Sequence, residues 1–162
     1  YGINQLDLQY EYNMTRPYTY SYEDETGSRY THYAQPLAHP LGANFSEHLL
    51  ALWYQPFPKI VINNTLLMAN YGTDPTGENY GANVFLDYNT YSNEYGNFTG
   101  QGINNQLLMN DLVVSWQFWH NASLDFRCIY RDLQVSASGQ NANELFFSVG
   151  VRLNEVLKQY LY

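Results

Sequence analysis

Charge is what this sequence has least of. Only 14% of its 162 residues are Asp, Glu, Lys or Arg, against about a quarter in an ordinary soluble domain. Seven Lys and Arg stand against fifteen Asp and Glu, a formal net charge of −8. That excludes a phosphate-neutralising stripe, and with it a nucleic-acid partner. Cysteine is nearly missing too: Cys128 stands alone, so there is no disulfide framework and no Cys-based metal site. No stretch approaches the ~20 apolar residues of a spanning helix. This rules out a helical span only, because the alternation of a membrane strand averages its hydropathy out. No signal peptide is visible, and a chain opening on Tyr1 is expected of a processed protein or a fragment.

Tyrosine is what the chain has in excess. There are 17 Tyr and 8 Phe, and the polar positions are filled by Asn, Gln, Ser, Thr and Tyr rather than by charges. Such a mixture suits an all-β protein whose surfaces meet sugar, lipid headgroups or a wet pore.

Alternation sets the architecture. In QLDLQYEYNM, residues 5–14, Leu6, Leu8, Tyr10, Tyr12 and Met14 point one way while Asp7, Gln9, Glu11 and Asn13 point the other. A period of two sustained this long predicts a strand with one apolar and one polar face. Further strands are predicted over 46–55, 59–71, 104–118, 123–133 and from 144 onward, with "PFP" at 56–58 breaking the chain, since Pro cannot continue a ladder. The connections run long, short, long, short, medium. Tight turns alternating with long polar loops, on strands of ten residues or more, predict an antiparallel up-and-down transmembrane β-barrel with short periplasmic turns and long extracellular loops. Residues 16–45 become one such loop, with its tyrosines at the membrane interface. Six strands fall short of the smallest closed barrel, of about eight. Either "ANVFLDYNTY" in 72–101 hides another pair, or residues 1–162 are one partial barrel domain, the C-terminal part of a larger barrel whose remainder precedes Tyr1.

Several word-like stretches then bear on family. "LDLQYEYNMTRPYTYSY", "YTHYAQPLAHPLGANF", "ENYGANVFLDY" and the closing "GVRLNEVLKQYLY" resemble the C-terminal part of a Bacteroidetes outer-membrane family, the capsule-assembly (Wzi-like) proteins, which includes proteins linked to gliding motility. The likeness spans the whole chain. Tyr22 stands where the family pattern has His, and Ala34 where it has Asn, which argues against a ligand or pH-sensing role at those two positions. The resemblance implies a bacterial outer-membrane barrel of about eighteen strands, within the size range of such barrels. It implies a non-enzymatic surface protein that holds or helps assemble capsular polysaccharide, or a role in surface movement. It also implies that Tyr162 is the terminal aromatic read during barrel assembly.

The candidate residues fall into three groups. Arg16, Tyr18, Tyr20, Tyr30, Tyr33, Asn44, Asn79 and Tyr80, with Tyr88 and Tyr91, offer stacking platforms and hydrogen bonds for a glycan; the competing expectation is that these rings pack the loops together and seal the barrel mouth. Asp7 and Glu11 share a strand face about 13 Å apart, too far for a glycosidase pair. They are expected to face Arg127, Arg131 and Arg152 in a lumenal charge network, because Arg or Lys on a lipid face at mid-depth costs about 2–4 kcal/mol. His32, His39 and His48 with Asp24 and Glu25 lack the spacing of a metal site. No cofactor is implied, no nucleophile–base arrangement stands out, and Cys128 lies on an apolar strand face as inert packing. Two other readings stay open: a structural subunit of a motility or secretion complex, and a soluble carbohydrate-binding or lipocalin-like module.

Overall fold

A computed structural model describes residues 3–23, 31–33, 35–136, 139 and 141–153. These form an antiparallel, all-β sheet of six strands: β1 (Leu6–Thr15), β4 (Phe45–Phe57), β5 (Ile60–Thr73), β6 (Ile103–Trp119), β7 (Ala122–Val135) and β8 (Asn141–Leu153), hydrogen-bonded in that order. Two short strands, β2 (Thr31–His32) and β3 (Gln35–Pro36), pair with each other inside the first long connection. The only helical turn among the described residues is a 3₁₀ turn at Tyr88–Thr90. The sheet is open: β1 and β8 do not pair, so it is not a closed barrel. The "ANVFLDYNTY" stretch supplies no extra strand pair; beyond the 3₁₀ turn it gives one isolated bridge, Asp87 to Tyr22.

Tight turns at Pro58–Lys59 and His120–Asn121 occupy one end of the sheet, and the connections 16–44, 74–102 and 136–140 occupy the other. The break expected at "PFP" falls later than its first proline. β4 runs through Pro56 to Phe57, and the register shifts between Tyr54 and Phe57. A bulge is where a strand tolerates a residue with no N–H to donate.

The register assigns every strand residue to a face. One row reads Leu8, Leu52, Asn64, Leu112, Cys128, Phe147 across the six strands, and the next reads Leu6, Tyr54, Ile62, Val114, Phe126, Val149. This is the apolar face. The opposite face carries Asp7, Glu11, Glu47, Asp111, Asp125, Arg127, Arg131, Glu144 and Arg152. Of the acidic and basic (Lys/Arg) side chains on the six strands, Asp132 alone sits on the apolar face. Val61 and Leu67, which blur the alternation of β5, belong to the charged face, which is mixed in its central strands.

Among the described residues no second layer covers the apolar face. Strands contact only their hydrogen-bonded neighbours, and Leu8, Tyr10, Phe147, Val149 and Val151 are all more than half exposed. The buried apolar side chains among the described residues are Ala43, Phe45, Ala69, Val84 and Ala122. Phe45 and Ala69 lie on the charged face at its loop end, and Ala43 and Val84 lie in the loops that fold over it. The densest packing is therefore between loops and the sheet's charged face.

Candidate functional site

The two long connections join into one body, a loop crown, and its construction starts from Asp74. The Asp74 carboxylate accepts from the backbone N–H groups of Tyr80 (2.7 Å), Ala82 (3.4 Å) and Asn83 (2.9 Å). An Asp that satisfies backbone donors beyond a turn fixes the loop's path where no ladder can. The chain then reverses at Gly81, whose φ of +82° suits glycine and whose missing Cβ leaves room for the backbone and ring of Tyr18.

Asn79 ties the upper layer. Only 2% exposed, it donates through Nδ2 to Thr90 Oγ1 (2.8 Å) and the Asp87 carbonyl (3.3 Å) and accepts at Oδ1 from the Gly81 N–H (2.9 Å). Its carbonyl accepts from the Tyr18 hydroxyl (2.6 Å) and the Ser92 N–H (2.9 Å). Burial pushes the Tyr18 phenol above its ordinary range, with the Asp74 charge adding to the effect. Tyr18 meets Tyr88 edge-on at 6.4 Å, and Tyr88 leans on Tyr91 at 5.5 Å.

Asn44 ties the lower layer. It is fully buried with a φ of +61°, a left-handed conformation that Asn tolerates better than most residues. Its Nδ2 donates to the Gln101 carbonyl (2.8 Å), its Oδ1 accepts from the Gly100 N–H (2.7 Å), and its own carbonyl accepts from the Gly72 N–H (3.0 Å). Gln101 in turn donates to the Tyr80 carbonyl and Asn97 Oδ1. Below this, His39 stacks on Phe45 at 4.3 Å and reaches the buried carboxylate of Glu47 at 3.3 Å, which also accepts from Asn13. "HPLGANF" thus lies folded against the charged face.

The glycan candidates therefore divide. Tyr18, Asn44 and Asn79 have their polar groups spent inside the crown. Tyr80 is partly exposed beside its neighbour Glu78, which holds the phenol above its ordinary range through a hydrogen bond. Arg16 is exposed with no ion-pair partner among the described residues. Tyr33 is 90% exposed and sits edge-on to His32 at 4.2 Å. Tyr20 is half-buried in the same segment. Tyr30, Asp24, Glu25, Ala34 and Tyr162 lie outside the described residues. Tyr95, 83% exposed, and Phe98, 67% exposed, are further outward-facing rings outside the candidate groups drawn from the sequence. Gln101 and Asp74 were also missed. Asp74 carried a signal in "GTDPTG", since Asp before Pro and Gly is a turn-capping pattern; Gln101 carried none.

The charge network also differs from expectation. Arg127 forks onto Asp111 (Nε–Oδ1 2.8 Å), Arg152 pairs with Asp125 (3.1 Å), and Arg131 meets Glu144 (3.5 Å). Asp7 and Glu11 share that face, but β1 lies four strands from β7, about 19 Å at the usual strand spacing. They do not reach these arginines; Glu11 accepts from Gln9 instead. The nearest strand neighbours outcompete a distant one, because an Arg fork needs contact geometry. The histidines are apart as well: His32 by Tyr33, His39 by Glu47, His48 between Tyr10 and Tyr12. Among the described residues no three His, Cys, Asp or Glu side chains converge on a metal position.

Comparison of the chain with protein-family models, with curated proteins and with solved structures found no match.

Proposed function

We propose that residues 1–162 are the C-terminal part of a larger β-barrel in a bacterial outer membrane. The apolar face meets lipid, the charged face lines the lumen, and the loop crown stands at the cell surface. One observation carries this reading: the border of the apolar band runs diagonally across the strands. On β1 the band still holds Met14. On β4 it ends with Leu50 and the His48 ring, below Ser46; on β5 and β6 it ends between Met68 and Asn70 and between Leu108 and Gln106, with Asn110 a single polar position one row inside the border; on β7 and β8 it ends a row lower, between Tyr130 and Asp132 and between Leu145 and Asn143. A level water–lipid boundary crossing tilted strands produces such a slope. On β6 the band runs from Leu108 to Phe118, broken once by Asn110, about 33 Å along the strand, or about 25 Å of height at a tilt near 40°, the thickness of a barrel's lipid-facing band.

The crown is non-catalytic in this reading, and its role is binding: exposed rings such as Tyr33, Tyr95 and Phe98 receive surface polysaccharide while the packed layers beneath close the barrel mouth. The resemblance to capsule-assembly proteins supports the glycan, and the exposed rings support the mode. Anchoring a motility or secretion complex would use the same crown with a protein partner. The test uses the full-length parent protein: outer-membrane fractionation, gel mobility before and after boiling, and capsule retention by cells carrying Tyr33→Ala with Tyr95→Ala. A heat-shifted outer-membrane band with capsule loss in the variant supports both parts. A protein soluble without detergent and showing no shift refutes the barrel, and full capsule retention refutes the glycan role.

A further inference from the structure

Outside the crown, on the apolar face, a groove of about 360 Å³ straddles the upper border of the apolar band. Its floor is Met68 and Leu108, and its upper wall is Asn70, Gln106, Asp132 and Gln134. To one side His48, itself part of the lining, packs between Tyr10 and Tyr12, with ring centroids 6.0 and 4.8 Å away and the Tyr10 hydroxyl 2.7 Å from Nδ1. The groove belongs to no loop, and its polar groups are only partly engaged. Asn104 donates to Asn70 Oδ1 and Gln134 donates to Asp132, while Gln106 and the neighbouring Ser46 have no side-chain partner among the described residues.

We infer that this groove binds the uncharged sugar head of a glycolipid in the leaflet on the loop side. The inference rests on the membrane orientation proposed above and adds a ligand at a second place. An aromatic wall beside amides and one carboxylate is the chemistry of sugar recognition: rings stack on the C–H face, and amides and carboxylates grip adjacent hydroxyls. The apolar floor continues into the band below, so a head held here leaves its acyl chains lying along lipid-facing side chains such as Leu66 and Leu50. The charge pattern selects against phosphate. Asp132 is the sole Asp, Glu, Lys or Arg on this face of the six strands, so an anionic headgroup meets repulsion and no Lys or Arg counter-charge.

The test reconstitutes the full-length protein in nanodiscs of phosphatidylethanolamine containing equal small amounts of digalactosyl diacylglycerol and phosphatidylglycerol. Retained lipids are then counted by native mass spectrometry after mild detergent release. The expected result is enrichment of the galactolipid over phosphatidylglycerol, reduced about tenfold by Gln106→Ala with Asp132→Ala, as loss of two hydrogen-bonding groups would give. Equal retention, or a preference for phosphatidylglycerol, overturns the inference. Displacement by free digalactose at the same concentration overturns the assignment to a lipid. The double variant must still insert and show the heat-shifted band. If the wild type does not insert, it is the barrel reading that has failed, and this is visible before any lipid is counted. A Gln106→Asn variant that regains part of the enrichment separates recognition from loss of fold.

Discussion

Asn44 and Gln101 hold each other 57 residues apart, the Asn44 amide giving a 2.8 Å hydrogen bond to the Gln101 carbonyl while both side chains are shut away from water. The two long connections meet at this bond. Asn44→Ala leaves the Gly100 N–H and the Gln101 carbonyl buried without partners, at about 1–3 kcal/mol for each. The expected outcome is a crown cleaved faster by protease, with the strands resistant as before. Cleavage at the wild-type rate would show that the crown does not depend on this bond.

Gly72 tests the same joint from the strand side. A methyl there would overlap the Gln101 carbonyl oxygen and the Asn44 amide, and both are fixed by hydrogen bonds. Gly72→Ala is expected to cost about 1–3 kcal/mol by overpacking, whereas Gly77→Ala meets nothing within 4 Å and costs only the strain of its positive φ. Thermal or denaturant unfolding of the two variants side by side measures the difference.

The Tyr18 phenol gives the crown a pH limit. Its folded pKa is raised above the unfolded value near 10, because burial and the Asp74 charge favour the neutral form. A group raised in this way contributes stability that is present in full below the unfolded value and is lost as pH rises through the folded one. Loop protection is therefore expected to hold through neutral pH and to fall in the alkaline range. Tyr18→Phe should remove that alkaline step and lower protection at neutral pH through loss of the bond to the Asn79 carbonyl. Protease protection measured across alkaline pH checks both.

Adjacent residues on β8 should respond oppositely to one charge. Val149→Arg puts a guanidinium in the middle of the apolar band, expected to cost about 2–4 kcal/mol and to reduce membrane insertion. Gly150→Arg faces the charged side, where nothing lies within 4 Å of the added Cβ and Asp125 is directly opposite. It should insert normally. Outer-membrane yield of the two variants decides this.

The strands were legible because each carries a period-two signal that depends only on its own residues. Leu6 to Met14 and Leu145 to Leu153 show it unbroken. β5 was harder, because Val61 and Leu67 place apolar groups on the charged face, and only pairing with β4 and β6 settles their direction. Pro56 misled, since a bulge lets a proline stay in a strand. The partners of the three arginines could not be read, because they depend on strand order and register rather than on alternation. The crown was least legible of all. Asn44, Asn79 and Tyr18 drew notice as polar and aromatic loop residues, and that composition serves a ligand site and a packed joint equally well. Which of the two it is depends on contacts between positions more than fifty residues apart.

If the two faces of the sheet meet different solvents, spin labels on β8 will report it residue by residue. In the full-length protein carrying Cys128→Ser, nitroxides are placed one at a time at Phe147, Ser148, Val149 and Gly150, and the protein is reconstituted in bilayers. Collision rates are then measured with oxygen, which partitions into lipid, and with a nickel chelate, which stays in water. Labels at 147 and 149 are expected to collide with oxygen and those at 148 and 150 with nickel. Labels at 147 and 149 that meet neither reagent, as in a dry protein core, or four labels behaving alike, would contradict that difference in solvent.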